Sequence, residues 1–267
     1  MAVITQTARP TAVQLVRWGA MDTLVMMQRN LLVWVRVPAY IVFTIVQPVI
    51  FVLLFRYVFG GAIQVPTPGG YVSYLIPGIV AQTAAFATFA TAIALAQEAK
   101  KGVVDRLRSL PMARSAFLLG RLSADAIRMM TTILVIVGVG YAVGFRFQDG
   151  VLNAIGMVLI AWAFGVTLAC VAAFIGLAIK DEESVQAFGL IWLFPLTFVS
   201  SAFVPIQSMP NWMQAFAEHQ PVTLVVNAMR AMALGGPLNP ALWQSIAWMA
   251  GILVVFIPLA VRAYRRV

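Results

Sequence analysis

Residues 151–179 read VLNAIGMVLIAWAFGVTLACVAAFIGLAI, an unbroken run without Asp, Glu, Lys, Arg or His. A helix rises about 1.5 Å per residue, so about 20 residues cover a hydrocarbon core ~30 Å thick, and uncharged runs of that length are read as membrane-crossing helices. Five more runs of the same character lie around it, at Pro38–Phe59, Val72–Ala96, Leu118–Phe145, Val185–Phe203 and Leu242–Val261. The chain therefore reads as an all-α polytopic membrane protein with six transmembrane helices.

Composition points the same way: 62% of the 267 residues are hydrophobic and 10% charged, against about 25% charged in soluble domains. The longest polar interludes, Thr5 to Arg36, Gln97 to Arg121 and Gln207 to Gln244, are loop-sized or amphipathic. One membrane domain over residues 1–267 is expected, with no separate catalytic module. The net charge of +9 is spread over segments flanking the spans, which suits anionic lipid headgroups and not nucleic acid. Cys170 is the single cysteine and lies inside an apolar run, so neither a disulfide framework nor a multi-cysteine metal site is expected. Arg17, Arg29 and Arg36 interrupt the first apolar residues, and insertion is expected to rely on the first span, not on a cleaved leader.

Orientation follows from Lys and Arg, which accumulate in cytoplasmic connections. Arg9, Arg17, Arg29 and Arg36, then Lys100, Lys101, Arg106, Arg108, Arg114 and Arg121, then Lys180, then Arg262, Arg265 and Arg266 fall on one side. Only Arg56, Arg146 and Arg230 fall on the other. Both termini are thus expected in the cytoplasm. Before the first span, Val13, Val16, Ala20, Leu24, Met27, Leu31 and Trp34 recur at helical spacing, with Arg29 and Arg36 on the opposite face. That pattern predicts an interfacial helix over 11–36; a soluble helix packed on a partner is the alternative. In the outer connection, 206–240, Pro210, Pro221 and Gly235-Gly236-Pro237 mark two short helices, forming either a re-entrant hairpin or an amphipathic cap.

Several chemistries are excluded. A Walker-A loop needs glycine-rich amides followed by lysine and a hydroxyl residue; none of Lys100, Lys101 and Lys180 follows a glycine or precedes Ser or Thr. The chain is not expected to be an ATPase. His219 is the single histidine, which removes a two-histidine metalloprotease motif; beside Glu218 it reads as a structural imidazole. Central carboxylates, the usual mark of ion coupling, are missing from every span but the third. There Arg121, Asp125 and Arg128 form one stripe at i, i+4 and i+7, read either as a snorkelling end of the helix or as a relay or gate.

Between spans two and three runs Gln97-Glu-Ala-Lys-Lys-Gly-Val-Val-Asp-Arg-Leu-Arg-Ser-Leu-Pro-Met112. Gly102 permits a break, Val104 to Leu110 supports a short amphipathic helix and Pro111 stops it. Read by charge alone, this is a solvated basic loop. In order and spacing, with Glu98, Gly102 and Leu107-Arg108-Ser109-Leu110-Pro111, it resembles the first cytoplasmic loop of the membrane subunits of type-two ATP-binding-cassette exporters. Tyr71 to Gly78 is similar to that family's start of span two, and His219 to Thr223 with Ala228-Met-Arg230 to its segment before the last span. Within that family the chain resembles the daunorubicin-resistance type permeases of actinobacteria.

The resemblance implies a transporter half in the bacterial plasma membrane, exporting a drug or complex lipid. Residues 11–36 would be the elbow helix and 97–117 the cytoplasmic coupling loop. A separate nucleotide-binding ATPase subunit would hold ATP and Mg, leaving this chain without a cofactor or metal of its own, and a second permease copy or homologous permease would complete the path. Glu98, Gly102, Asp105, Arg106, Leu107, Arg108, Leu110 and Pro111 would meet the ATPase; Leu107, Leu110 and Pro111 form the wedge, and Asp105, Arg106 and Arg108 set the register. Lys180, Asp181, Glu182 and Glu183 are a weaker second contact. Phe86, Phe89, Trp192, Phe194 and Phe198 are candidates for the substrate path, with lipid contact and helix packing as the alternative. A secondary transporter or channel without ATP coupling, an intramembrane enzyme and a non-transporting scaffold are the rival readings.

Overall fold

The computed structural model describes residues 12–63, 65, 67, 69–113, 115–236 and 240–266, and every regular element among them is helical. Helix α1 (Ala12–Arg36) lies against the bundle and is followed by α2 (Pro38–Leu54), which runs on through a π-helical turn at Phe55–Phe59. The long α3 (Gly70–Lys100) leads to the short α4 (Val103–Arg108), and α5 (Ala116–Ala142) and α6 (Gly150–Ile179) follow. Then come α7 (Glu182–Phe198), α8 (Asn211–His219), α9 (Pro221–Leu234) and α10 (Ala241–Arg266).

Among the described residues five helices are long and apolar enough to cross a membrane: Pro38–Phe59, α3, α5, α6 and α10. The sixth expected span, Val185–Phe203, is not among them. Its helix, α7, has 17 residues, about 26 Å of rise. Helical geometry stops at Val199 because local hydrogen bonds replace the ladder. Ser200 Oγ donates to Thr197 O at 2.5 Å and accepts from Ala202 N at 3.1 Å, the competition with helix continuation that serine offers.

The centre of the bundle is the α3–α6 seam, where small residues bring backbones together. A Cβ added to Gly176 on α6 would run into Ala92 O on α3, and at a second close approach one added to Gly78 on α3 would run into Ala202 O in the turn after α7. Small-residue seams of this kind replace the hydrophobic effect, which does not drive helices together in lipid. Ile76, Ile79, Phe164, Val225 and Met229 fill the surrounding core. α1 docks on α5 where Gly120 leaves room for Met26 and Thr23. The expected apolar stripe of α1 is divided: Met27, Leu31 and Trp34 are half-buried, while Val13, Val16 and Leu24 are exposed. Trp34 Nε1 donates to Thr44 Oγ1 on α2 at 3.4 Å, and Arg36 ends α1 exposed.

Candidate functional site

Gly102 separates α3 from α4 at φ +66°, a left-handed conformation that glycine adopts without strain. The turn lays one side of α4 on the bundle. Val104 is fully buried, and Leu107 packs on the same cluster of Met26, Leu95, Phe117, Leu177 and Tyr264. Those residues come from α1, α3, α5, α6 and α10, so a helix of 6 residues touches a cluster built from five others. Phe117 and Tyr264 stack there at 5.6 Å. Asp105, Arg106, Leu110 and Pro111 are exposed, Leu110 at 51%. Of the three wedge residues, then, Leu107 turns inward and Leu110 and Pro111 outward. Arg108 belongs to α4, but its side chain lies outside the described residues.

Glu98 sits at the end of α3 and accepts from Arg29 Nη2 at 2.8 Å, tying α3 to α1. Ala113 N donates to Asp22 Oδ2 at 2.8 Å, which fastens the chain after α4 to α1 as well. The second predicted contact lies at the same end of the bundle. Lys180 takes φ 58° at the end of α6, Asp181 caps α7 by accepting from Ser184 N at 3.1 Å, and Lys100 Nζ reaches Asp181 Oδ1 at 3.1 Å. The Ser184 backbone N–H, and after it Lys100, hold the Asp181 carboxyl below the usual carboxylate range. Glu182 and Glu183 occupy the first turn of α7, where carboxylates suit the helix dipole.

The Arg121, Asp125, Arg128 stripe does not snorkel. All three side chains turn into the bundle, with 11%, 8% and 16% exposure. Asp125 Oδ2 accepts from Thr91 Oγ1 at 2.7 Å and from Arg121 Nε at 3.3 Å; Asp125 Oδ1 lies 2.9 Å from Arg128 Nη2. Arg121 also reaches Asn30 Oδ1 on α1 at 3.4 Å and Ala90 O on α3 at 3.5 Å.

The candidate path residues separate. Phe86, Phe194 and Phe198 line one cavity of about 300 Å³ between α2, α3, α5 and α7, which Arg128 also borders. Phe86 meets Phe194 edge-on at 5.4 Å, and Phe194 stacks on Phe198 at 5.4 Å. Trp192 instead lines an apolar cavity of about 730 Å³ among α6, α7, α8 and α10, its indole N–H without a hydrogen-bond partner among the described residues. Phe89 wedges against Gly189, joining α3 to α7.

One arrangement at the opposite end was not foreseen. Arg230 of α9 is buried, lies 3.4 Å over the Tyr74 ring and donates to Tyr74 O at 3.0 Å, Ser201 O at 2.5 Å, Ala202 O at 3.2 Å and Ser201 Oγ at 3.2 Å. Gln220 Nε2 adds a bond to Val199 O at 2.9 Å. The sequence offered one signal, a lone arginine in an otherwise apolar helix. Among the described residues no group of three or more His, Cys, Asp or Glu gathers to hold a metal.

Crossing-length apolar helices around a small-residue seam, with a short helix bound across one end, define a multi-pass α-helical membrane protein. A family profile described as ABC-2 type transporter matches residues 21–234, and the chain belongs to that family. It is 32% identical to daunorubicin resistance ABC transporter permease protein DrrB1 of Streptomyces coeruleorubidus, over 97% of this chain and 88% of that protein. It is also 32% identical to probable doxorubicin resistance ABC transporter permease protein DrrC of Mycobacterium tuberculosis, over 92% of this chain and 88% of that one. With ABC transporter G family member 20 of Dictyostelium discoideum it shares 27% identity over 69% of this chain, a quarter of that longer protein.

Proposed function

We propose that this chain is the transmembrane half of an ATP-driven exporter of a hydrophobic or amphipathic substrate, a drug or complex lipid. It works with a second permease, identical or homologous, and with a separate nucleotide-binding subunit that holds ATP and Mg. The even, six-fold crossing then includes α7 together with the turns after it, α1 is the interfacial elbow, both termini are cytoplasmic, and 206–240 forms the outer segment. Likeness to drug-resistance permeases over nearly the whole chain supports the substrate class.

The observation that carries the coupling role is the two-sidedness of α4. Its inner side, Val104 and Leu107, is seated in a cluster drawn from five helices, while Leu110 and Pro111 stand free at the tip. A push on that tip reaches the bundle through packed side chains, which transmit strain because interiors are close-packed. Asp105 and Arg106, with Arg108, would set the register on the ATPase, and the Lys100–Asp181 ion pair joins the second contact, Lys180 to Glu183, to the same surface. A secondary transporter would need a carboxylate free to exchange its ion; Asp125 is held by two guanidinium groups and a threonine hydroxyl.

The test is reconstitution with the partner ATPase in proteoliposomes. Leu110→Asp and Pro111→Gly should each lower permease-dependent ATP turnover by the partner subunit about tenfold, the scale of an interface hot spot, with little change in thermal unfolding. Wild-type turnover in both would remove the coupling assignment.

A further inference from the structure

The aromatic cavity has a neighbour toward α1. It shares Tyr40, Ala90 and Arg128 with a second cavity of about 240 Å³ between α1, α3 and α5. The two differ in character: one carries the rings of Phe86, Phe194 and Phe198, the other a wall of charges. On that wall Arg29, Arg121 and Arg128 face Glu98 and Asp125, so one positive charge is left over. Of the three arginines, Arg128 is the one that also borders the aromatic cavity. Glu98 is engaged by Arg29, and Asp125 already takes Thr91 and Arg121 on one oxygen and Arg128 Nη2 on the other. Among the described residues the remaining Arg128 donors meet no acceptor. A guanidinium kept among apolar helices with donors unused is costly unless something else occupies them.

We propose that the joined cavities form one site for an amphipath with an anionic head. The head seats on Arg128 beside Tyr40, and the apolar body lies on Phe86, Phe194 and Phe198. The site specifies the cargo of the proposed permease and rests on that reading. A cationic amine is disfavoured because the wall already carries one more guanidinium than carboxylate. The same chemistry, a fixed anion on an apolar body, is offered by an exported acidic amphipath and by an anionic phospholipid of the bilayer.

Binding of a fluorescent anthroyloxy fatty acid to the purified permease in phosphatidylcholine nanodiscs, with no ATPase or ATP, tests this apart from coupling: Leu110→Asp leaves it unchanged whether or not that variant exports. The carboxylate should bind saturably and at least about tenfold tighter than its methyl ester or amine analogue, the preference of a charge-assisted pair. Arg128→Gln should erase the preference and Arg128→Lys retain it; because Gln takes the charged partner from Asp125 Oδ1, unchanged binding of the methyl ester by Arg128→Gln is the check that the site stays folded. Phe194→Ala should weaken all three probes alike, and millimolar inorganic phosphate should not displace the carboxylate. Displacement on changing to phosphatidylglycerol nanodiscs assigns the site to bilayer lipid; retention assigns it to a separate cargo. Equal binding of the three probes, an undiminished preference in Arg128→Gln, or displacement by phosphate overturns the proposal.

Discussion

Arg230 illustrates how a single side chain can take the place of a helix. Four acceptors from Tyr74 to Ala202 converge on its guanidinium, doing for an irregular backbone what ladder bonds do elsewhere. Arg230→Leu should therefore lower stability by at least about 3 kcal/mol, because it strands several buried carbonyls, and Arg230→Lys should rescue only part of it, lacking the planar fork. Thermal unfolding in detergent measures both. Residue identities were readable in the sequence here, but partners were not. The Arg121–Asp125 pairing follows from i, i+4 spacing, whereas Thr91, which saturates Asp125, comes from a helix 34 positions earlier. The same distance hid the role of Arg230, whose backbone acceptors lie 28 to 156 positions away.

Among elements, α4 and α7 show the reach and the limit of periodicity. Gly102 and Pro111 announced the short helix, since one permits a left-handed turn and the other ends a ladder. Which side of α4 faces inward depends on five other helices, and six residues carry too little pattern to tell. The packing separates two outcomes: Val104→Asp should destabilise the protein by about 3 kcal/mol or more through a buried, unpaired charge, while Leu110→Asp leaves unfolding nearly unchanged. Comparing their melting curves checks this. Hydropathy extended α7 to Phe203 because Ala202 and Phe203 are indeed buried; burial there is served by a turn that Ser200 closes locally and that Gln220, Thr223 and Arg230 hold from beyond α8. Only the local half of that stop lay within a sequence window. At the junction with α6, the depressed carboxyl of Asp181 keeps its ion pair with Lys100 formed above the ordinary carboxylate range and loses it only as pH falls through the lowered value.

For the whole molecule, charge bias and helix count give an orientation that labelling can check. Cysteine placed at Trp212, exposed on α8, should react with a membrane-impermeant maleimide in intact cells, and cysteine at Leu110 only after permeabilisation; the buried native Cys170 contributes little background. The opposite pattern would invert the proposed topology. The membrane class and five of the six expected spans were legible because length and hydropathy are local sums. The arrangement was not, since it depends on where small residues allow backbones to meet. Burial is uneven as a result: 61% of the crossing window is buried in α3 and in α6, against 12% in Pro38–Phe59 and 11% in α10. Gly176→Ala should open the α3–α6 seam and cost about 1–3 kcal/mol, since the methyl meets a main-chain carbonyl and not a pliable side chain. That inflexible pairing works as an axle. In the proposed ATP-driven cycle the two central helices would turn as one piece, and the alternation of the pathway would fall to the lightly held rim helices that lean on them.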